Sequence, residues 1–212
     1  MEIKCFEVNM FQENCYIVYD SSKEAIIIDP GCYYPEEQES LKRFIESKQL
    51  IIKHLINTHL HPDHIFGNAF IEQTYHILTE AHPGDQDWLK NAPKYSQYLG
   101  VPWQGGDPVK IGKELTEGTQ ITFGNNSLDI LYVPGHSQGS ICFYNKAHHS
   151  LFAGDVLFRG SIGRTDLPGG DWNTLVEGIK KKLLLLPEET TVYSGHGPTT
   201  TIGNEKKQNP YL

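Results

Sequence analysis

Two short apolar runs, "CYIVYD" at 15 to 20 and "EAIIID" at 24 to 29, flank the polar turn "DSSK" and predict two strands joined as an antiparallel hairpin. The next segment, 35 to 50, changes period. Leu41, Phe44 and Ile45 stand at i, i+3 and i+4, with acidic residues early and lysines late, so a helix is expected whose charges suit its dipole. "IIKHLINTH" at 51 to 59 then reads as a buried strand. The stretch from Thr79 to Asp107 is polar, holds Trp88 and Trp103, and predicts a helix over about 84 to 98. Beyond it "TQITFG", "NSLDILYVPG", "SICFYN" and "HSLFAGD" predict four strands. Residues 171 to 187 predict a helix presenting Val176, Ile179, Leu183 and Leu186 on one face, and "TTVYSGHG" at 190 to 197 predicts a last strand. Alternating strand and helix signals place the chain in the α/β class.

Composition narrows the picture further. The 212 residues show no repeat, no low-complexity tract and no flexible linker, so one domain over 1 to 212 is expected. A net charge of −8 argues against nucleic-acid or anionic-membrane partners, which need clustered Lys and Arg, and favours a small molecule. The first twenty residues carry no signal-peptide pattern, and the longest apolar run, "LLLLP", is far too short to span a bilayer. Cys5, Cys15, Cys32 and Cys142 have no metal or redox spacing and are expected as buried reduced thiols, which implies a cytoplasmic protein.

The chemistry is concentrated at the ends of the predicted strands. "NTHLHPDHIFG" follows the strand at 51 and puts His59, His61, Asp63 and His64 on one short loop. Neither a zinc-finger nor a His-Glu-x-x-His pattern accounts for this spacing. Three later strands end in a metal-type residue beside glycine: His136 in "VPGHS", Asp155 in "FAGD" and His196 in "YSGHG". Glycine there lets the backbone turn so that the next side chain projects from the strand end. Seven nitrogen and carboxylate ligands suit zinc, manganese or iron and exceed the needs of one tetrahedral centre, so two divalent metal ions are implied. His54, His76, His82, His148 and His149 fall outside the pattern and are read as structural or surface residues.

In this order, "THLHPDH", "PGHSQGS", "FAGD" and "SGHG" resemble the metallo-β-lactamase superfamily, and within it the glyoxalase II (hydroxyacylglutathione hydrolase) branch. The resemblance runs over nearly the whole chain and implies a four-layer αββα sandwich with metals at one edge between the sheets. It implies that His59, His61 and His136 hold one metal, that Asp63, His64 and His196 hold the other, and that Asp155 bridges them. Asp63 and Asp155 are then the residues expected to act in catalysis. Asp29, in "IIIDPG", resembles the carboxylate that orients a metal-bound histidine; a turn before Pro30 is the alternative. The chain departs from full-length glyoxalase II in that it ends soon after His196 and has Gly197 and Pro198 in place of an acidic residue and a tyrosine. It resembles the compact, single-domain type without the helical region that binds glutathione.

The resemblance implies a metal-dependent hydrolase in which a metal-bridging hydroxide attacks a small acyl thioester. Zinc is the expected metal, with iron or manganese as substitutes. The leaving thiol has a pKa near 8.5, so its departure needs little acid assistance. Without a glutathione-binding region, a high KM and little preference among thiol carriers are expected. "FRGSIGRTDLPGGD" at 158 to 171 is either a structural loop with an Arg164–Asp166 interaction or a substrate-lining segment. Two other functions stay open: a persulfide dioxygenase-like enzyme with one iron, and a non-catalytic metal-binding module.

Overall fold

The computed structural model describes residues 1–106 and 110–212. Its first sheet runs β1 (Glu2–Val8), β2 (Glu13–Tyr19), β3 (Glu24–Ile28), β4 (Ile51–Ile56), β5 (Thr79–Ala81) and β6 (Lys113–Glu114), neighbours in that order. The expected hairpin is β2 and β3, antiparallel with Tyr16 opposite Ile28 and Tyr19 opposite Ala25. Helix α1 (Pro35–Lys48) carries the chain over to β4, which lies parallel to β3. After β4 come α2 (Pro62–Ile65), α3 (Asn68–Tyr75), α4 (Gln86–Lys90) and α5 (Ala92–Tyr98).

The second sheet takes β7 (Gln120–Phe123), β8 (Asn126–Tyr132), β9 (Ile141–Asn145) and β10 (Ser150–Gly154). A two-stranded hairpin, β11 (Leu157–Phe158) and β12 (Ser161–Ile162), and helix α6 (Trp172–Lys182) precede β13 (Thr191–Ser194), β14 (Thr200–Thr201) and α7 (Ile202–Gln208). The sheet order is β14-β13-β10-β9-β8-β7, with β13 parallel to β10.

Strand alternation sorts the core into layers. Cys15, Ile17 and Ile27 turn outward onto Leu41 and Ile45 of α1 and Ile71 of α3. Tyr16, Val18, Ile26 and Ile28 turn inward onto Ile121, Leu128, Phe143 and Phe152 of the facing sheet. Cys142, Leu151 and Ala153, on the far side of that sheet, pack against Leu175 and Ile179 of α6. Successive side chains of a strand point to opposite faces, so each inner strand feeds both the central layer and a helical one. The expected αββα sandwich is the result.

Several expectations change in detail. The helix over 84–98 is a 3-10 turn at Pro83–Asp85 followed by α4 and α5, broken at Asn91, because Pro93 has no N–H to continue the preceding helix. The buried face of α6 is the i, i+4 row Leu175, Ile179, Leu183; Val176 and Leu186 are only partly buried. β4 is not buried throughout: Ile51 and Lys53 are exposed, while Ile52, Leu55 and Ile56 are buried. Three of the cysteines are buried, but Cys5, on the edge strand β1, is exposed. Asp107, at the end of the polar stretch, lies outside the described residues. Among the described residues, no helix is long and apolar enough to cross a membrane.

Candidate metal centre

The ligand-type residues sit where strands of both sheets end. Beyond β4, His61 caps α2, and Pro62 at its first position fixes the helical φ, which places Asp63 and His64 in the first turn. His136 follows β8, Asp155 follows β10 and His196 follows β13. The glycines before them act for different reasons. Gly154 has a positive φ of 49°, whereas at Gly195 a Cβ would run into Asp155 Oδ1 and the His64 ring, so that glycine is required for space.

All seven predicted residues converge. His59, His61 and His136 offer ligand atoms within 4.8 Å of one another, and so do Asp63, His64 and His196. Asp155 lies between the groups, its oxygens 3.4 Å from His64 Nε2, 3.7 Å from His136 Nε2 and 3.6 Å from His196 Nε2. Asp63 Oδ2 is 3.3 Å from His196 Nε2. Four imidazoles are fixed through Nδ1, which leaves Nε2 facing the centre: His59 donates to Thr58 Oγ1 (3.1 Å), His64 to Asp29 Oδ2 (3.2 Å), His136 to the Arg164 carbonyl (2.8 Å) and His196 to the Phe11 carbonyl (2.9 Å).

Asp29 stands behind this set. Its carboxylate accepts from Thr58 N (2.7 Å), Thr58 Oγ1 (2.6 Å) and His64 Nδ1, so it orients His64 directly and His59 through Thr58. It could form a third ligand group with His59 and His64 by distance, but its oxygens are already engaged.

The donor set fits divalent cations. His61 Nε2, His64 Nε2 and Asp155 Oδ1 are buried and find no hydrogen-bond partner among the described residues, a costly arrangement unless a further group completes it. Burial, with the neighbouring imidazoles, pushes His59 and His61 well below the ordinary histidine value, which keeps them neutral and ready to ligate. Burial acts the same way on His64, but Asp155 and Asp63 outweigh it and raise His64 well above that value. For Asp155, burial is overcome by His64 and His196, and the carboxyl is held below its usual range.

Sequence reasoning missed two carboxylates. Glu13 is fully buried; its Oε2 accepts from Gly31 N (3.2 Å) and its Oε1 lies 3.8 Å from His64 Nδ1. Asp85, also fully buried, accepts from Leu60 N (3.1 Å), Ser137 Oγ (2.7 Å) and Gly139 N (2.6 Å), tying the His59–His61 loop to the His136 loop. A carboxylate ringed by Gly and Pro in "HPGD" was the only available signal for Asp85. The five histidines set aside lie elsewhere: His54 pairs with Glu80, His76 ends α3, His82 stacks on Tyr132, and His148 and His149 occupy the turn before β10.

The centre opens into a cavity. A chamber of about 90 Å³ is bounded by His61, Asp63, His136 and Asp155 together with Phe11 and Trp88. Through Trp88, Leu99, Arg164 and Leu167, which line both spaces, it meets a groove of about 670 Å³ between α5 and residues 164–168. The Arg164–Asp166 interaction expected in the Gly-rich loop is present. Arg164 donates to Asp166 through Nε and Nη2, both at 2.7 Å, and the same residues line the groove.

Comparison with known proteins agrees with this architecture. Hydroxyacylglutathione hydrolase GloC of Haemophilus influenzae is 37% identical over 214 residues, covering 100% of this chain and 98% of that protein. The crystal structure of the BLEG-1 B3 metallo-beta-lactamase superposes with a TM-score of 0.90 at 38% identity, over 100% of this chain and 99% of that one. TTHA1623, crystallised in a di-iron-bound form, superposes with a TM-score of 0.88 at 35% identity, over 99% and 100% of the two chains. The sequence profile of one family spans residues 8–196, from β1 to the last ligand-type histidine. With its sandwich and the histidine and aspartate side chains gathered at one edge of it, this chain belongs to the metallo-beta-lactamase superfamily.

Proposed function

We propose that this metallo-hydrolase cleaves a small acyl thioester, giving the carboxylic acid and the free thiol with the uptake of one water. The observation that carries the reading is the convergence of two ligand groups, joined by Asp155, on a chamber that meets a groove of about 670 Å³. His59, His61 and His136 would hold one divalent cation, Asp63, His64 and His196 a second, and Asp155 would span both with its two oxygens. A cation pair so held lowers the pKa of water to about 7 and polarises a carbonyl. Zinc suits the donor set, and iron does too, as the di-iron form of TTHA1623 illustrates for that relative. The name of the Haemophilus relative supports a hydroxyacyl thioester as the substrate.

The chain's own residues shape the chamber. Phe11 and Trp88 line the chamber, and Trp88 packs on His61 with ring centroids 4.2 Å apart. Asp63 and Asp155 line the chamber, and although burial opposes it, the imidazoles of His64 and His196 hold both carboxyls below their ordinary value. No serine or cysteine nucleophile is called for, and a leaving thiol of ordinary pKa departs as thiolate with little help.

The test is thiol release from a 2-hydroxyacyl thioester by zinc-loaded and chelator-stripped protein, with oxygen uptake on a persulfide followed in parallel. Thiol release by the loaded protein alone is expected. Oxygen consumption without thiol release would overturn the hydrolase reading in favour of a dioxygenase, and activity indifferent to chelation would overturn the metal assignment.

A further inference from the structure

The first ligand group has a brace of its own, the buried carboxylate of Asp85. The turn between β1 and β2 supplies a counterpart for the second. Asn9 opens that turn, 9% exposed and with a φ of 51°. Asn enters the left-handed region at lower cost than most side chains, and Gln12 N closes the turn by donating to the Asn9 carbonyl (3.3 Å). Asn9 N donates to Glu37 Oε1 (2.7 Å), which anchors the turn to α1.

The side-chain amide of Asn9 joins three segments. Its Nδ2 donates to the Gly31 carbonyl (2.9 Å) and to the Asp63 carbonyl (3.0 Å), and its Oδ1 accepts from Phe11 N (2.9 Å). A carboxamide meets all three demands at once, with two N–H groups for two carbonyls and an oxygen for the amide. The junction is tight, since a Cβ at Gly31 would strike the Asp63 carbonyl, Glu13 Oε2 and Asn9 Nδ2. Two members of the second ligand group lie one step from Asn9. Asp63 is held through its own carbonyl. His196 is held through Phe11, whose N–H is tied to Asn9 while its carbonyl accepts from His196 Nδ1 (2.9 Å). Among the described residues, none of the hydrogen bonds of Asn9 goes to His59, His61 or His136, or to Thr58 Oγ1 and the Arg164 carbonyl that fix two of those rings.

We infer that Asn9 is a positioning residue for the second cation alone, setting Asp63 and His196 at the spacing that lets them ligate together. Asp63 Oδ2 and His196 Nε2 stand 3.3 Å apart, although one belongs to the first sheet's loops and the other to the end of β13 in the second sheet. Metal–ligand bonds are short, so a drift of either residue is felt as lost affinity at that site. Asp85 and Asn9 thus brace the two ligand groups separately, one through a carboxylate that gathers donors, the other through an amide that bridges carbonyls. The inference rests on the two-cation reading and is independent of the substrate.

The experiment measures zinc affinity, by competition with a chromophoric chelator, in two backgrounds of the full chain. His61→Ala leaves the second ligand group intact, and His196→Ala leaves the first. Asn9→Gly is introduced into each, because glycine keeps the left-handed turn and removes the amide. Zinc binding should weaken roughly ten- to a hundredfold in His61→Ala and stay within about twofold in His196→Ala, the scale on which a ligand's supporting partner acts. Thermal unfolding in chelator accompanies each titration, since a merely structural role would lower metal-free stability without separating the two backgrounds. Asn9→Asp keeps the size, the turn and the acceptor for Phe11 N but sets an oxygen against the Gly31 and Asp63 carbonyls. The same one-sided loss is expected of it, and it carries the test should Asn9→Gly fail to fold. Affinity that falls equally in both backgrounds, or in neither, would overturn the brace and leave the two-cation reading standing. No zinc binding by His61→Ala with Asn9 in place would overturn that reading and the brace with it.

Discussion

Asp85 offers a measure of how the first ligand group is held together. It touches no predicted ligand atom, yet its carboxylate joins Leu60 N, which lies between His59 and His61, to Ser137 Oγ and Gly139 N, which follow His136. In Asp85→Ala the amides of Leu60 and Gly139 lose their acceptor, while Ser137 keeps Ser140 Oγ at 2.8 Å. Leaving a buried donor unsatisfied costs about 1–3 kcal/mol, so the two amides together cost roughly 2–6 kcal/mol. Burial pushes the Asp85 carboxyl above its ordinary value despite its three donors, so removing the charge returns part of that cost and places the expected loss toward the lower end. For a chain of this length about 3 kcal/mol corresponds to a fall in Tm of roughly 6–12 °C. Asp85→Asn separates charge from geometry. Its single oxygen can hold Leu60 and Ser137, but its amide then faces the Gly139 N–H, donor against donor, so it should recover only part of the loss. Thermal unfolding in chelator measures the protein alone, and zinc titration then reports whether His59, His61 and His136 still act together. Asp85→Ala should weaken one of two binding steps more than the other. Unfolding within about 0.5 kcal/mol of wild type, the range of an inert surface substitution, would refute the reasoning.

Three further predictions follow from the same geometry. Zinc-reconstituted protein should hold close to two metals per chain by elemental analysis, and saturation at one would contradict the two-group assignment. Asp155→Ala should lower occupancy of both sites and turnover by orders of magnitude, whereas His196→Ala should mainly empty one; near-normal metal content in Asp155→Ala would show that it does not bridge. Glu80 is set between His54 Nδ1 and Lys113 Nζ, the latter at 2.9 Å, and although burial opposes it these partners hold its pKa below the ordinary 4.5. Its contribution is therefore present above that value and lost as pH falls through the lowered folded pKa, so the stability gap to Glu80→Gln, roughly 1–2 kcal/mol from charge-assisted contacts, should be open at pH 6 and close in acid. A gap that widens in acid denaturation would mean the wrong sign.

The local determinants of this protein were legible because they lie close together in the chain or obey a short period. His59, His61, Asp63 and His64 occupy one loop, and β2, β3, α1 and the central strands of the second sheet announce themselves by runs and alternation of buried side chains. Elements that bury little left little trace. β1 is mostly exposed, β5 and β6 have three and two residues, and α2 has four, of which two are candidate ligands and one a proline. That His136, Asp155 and His196 belong with the first loop could be suggested by glycine-flanked strand ends, but their meeting within a few ångströms is the work of two sheets packing face to face. Glu13 and Asp85 were invisible because a carboxylate's role depends on the donors that surround it, here residues 18 to 54 positions away. The groove beside the metal centre is the extreme case. Its two walls are separated by more than sixty residues of sequence, and a cavity is the space between packed elements, which no single segment encodes. The sequence by itself determined the candidate ligands and the layering, since both follow from side-chain chemistry and strand period; tertiary packing alone decided which carboxylates brace those residues and what lies beside them, because those depend on distances between segments that periodicity does not constrain.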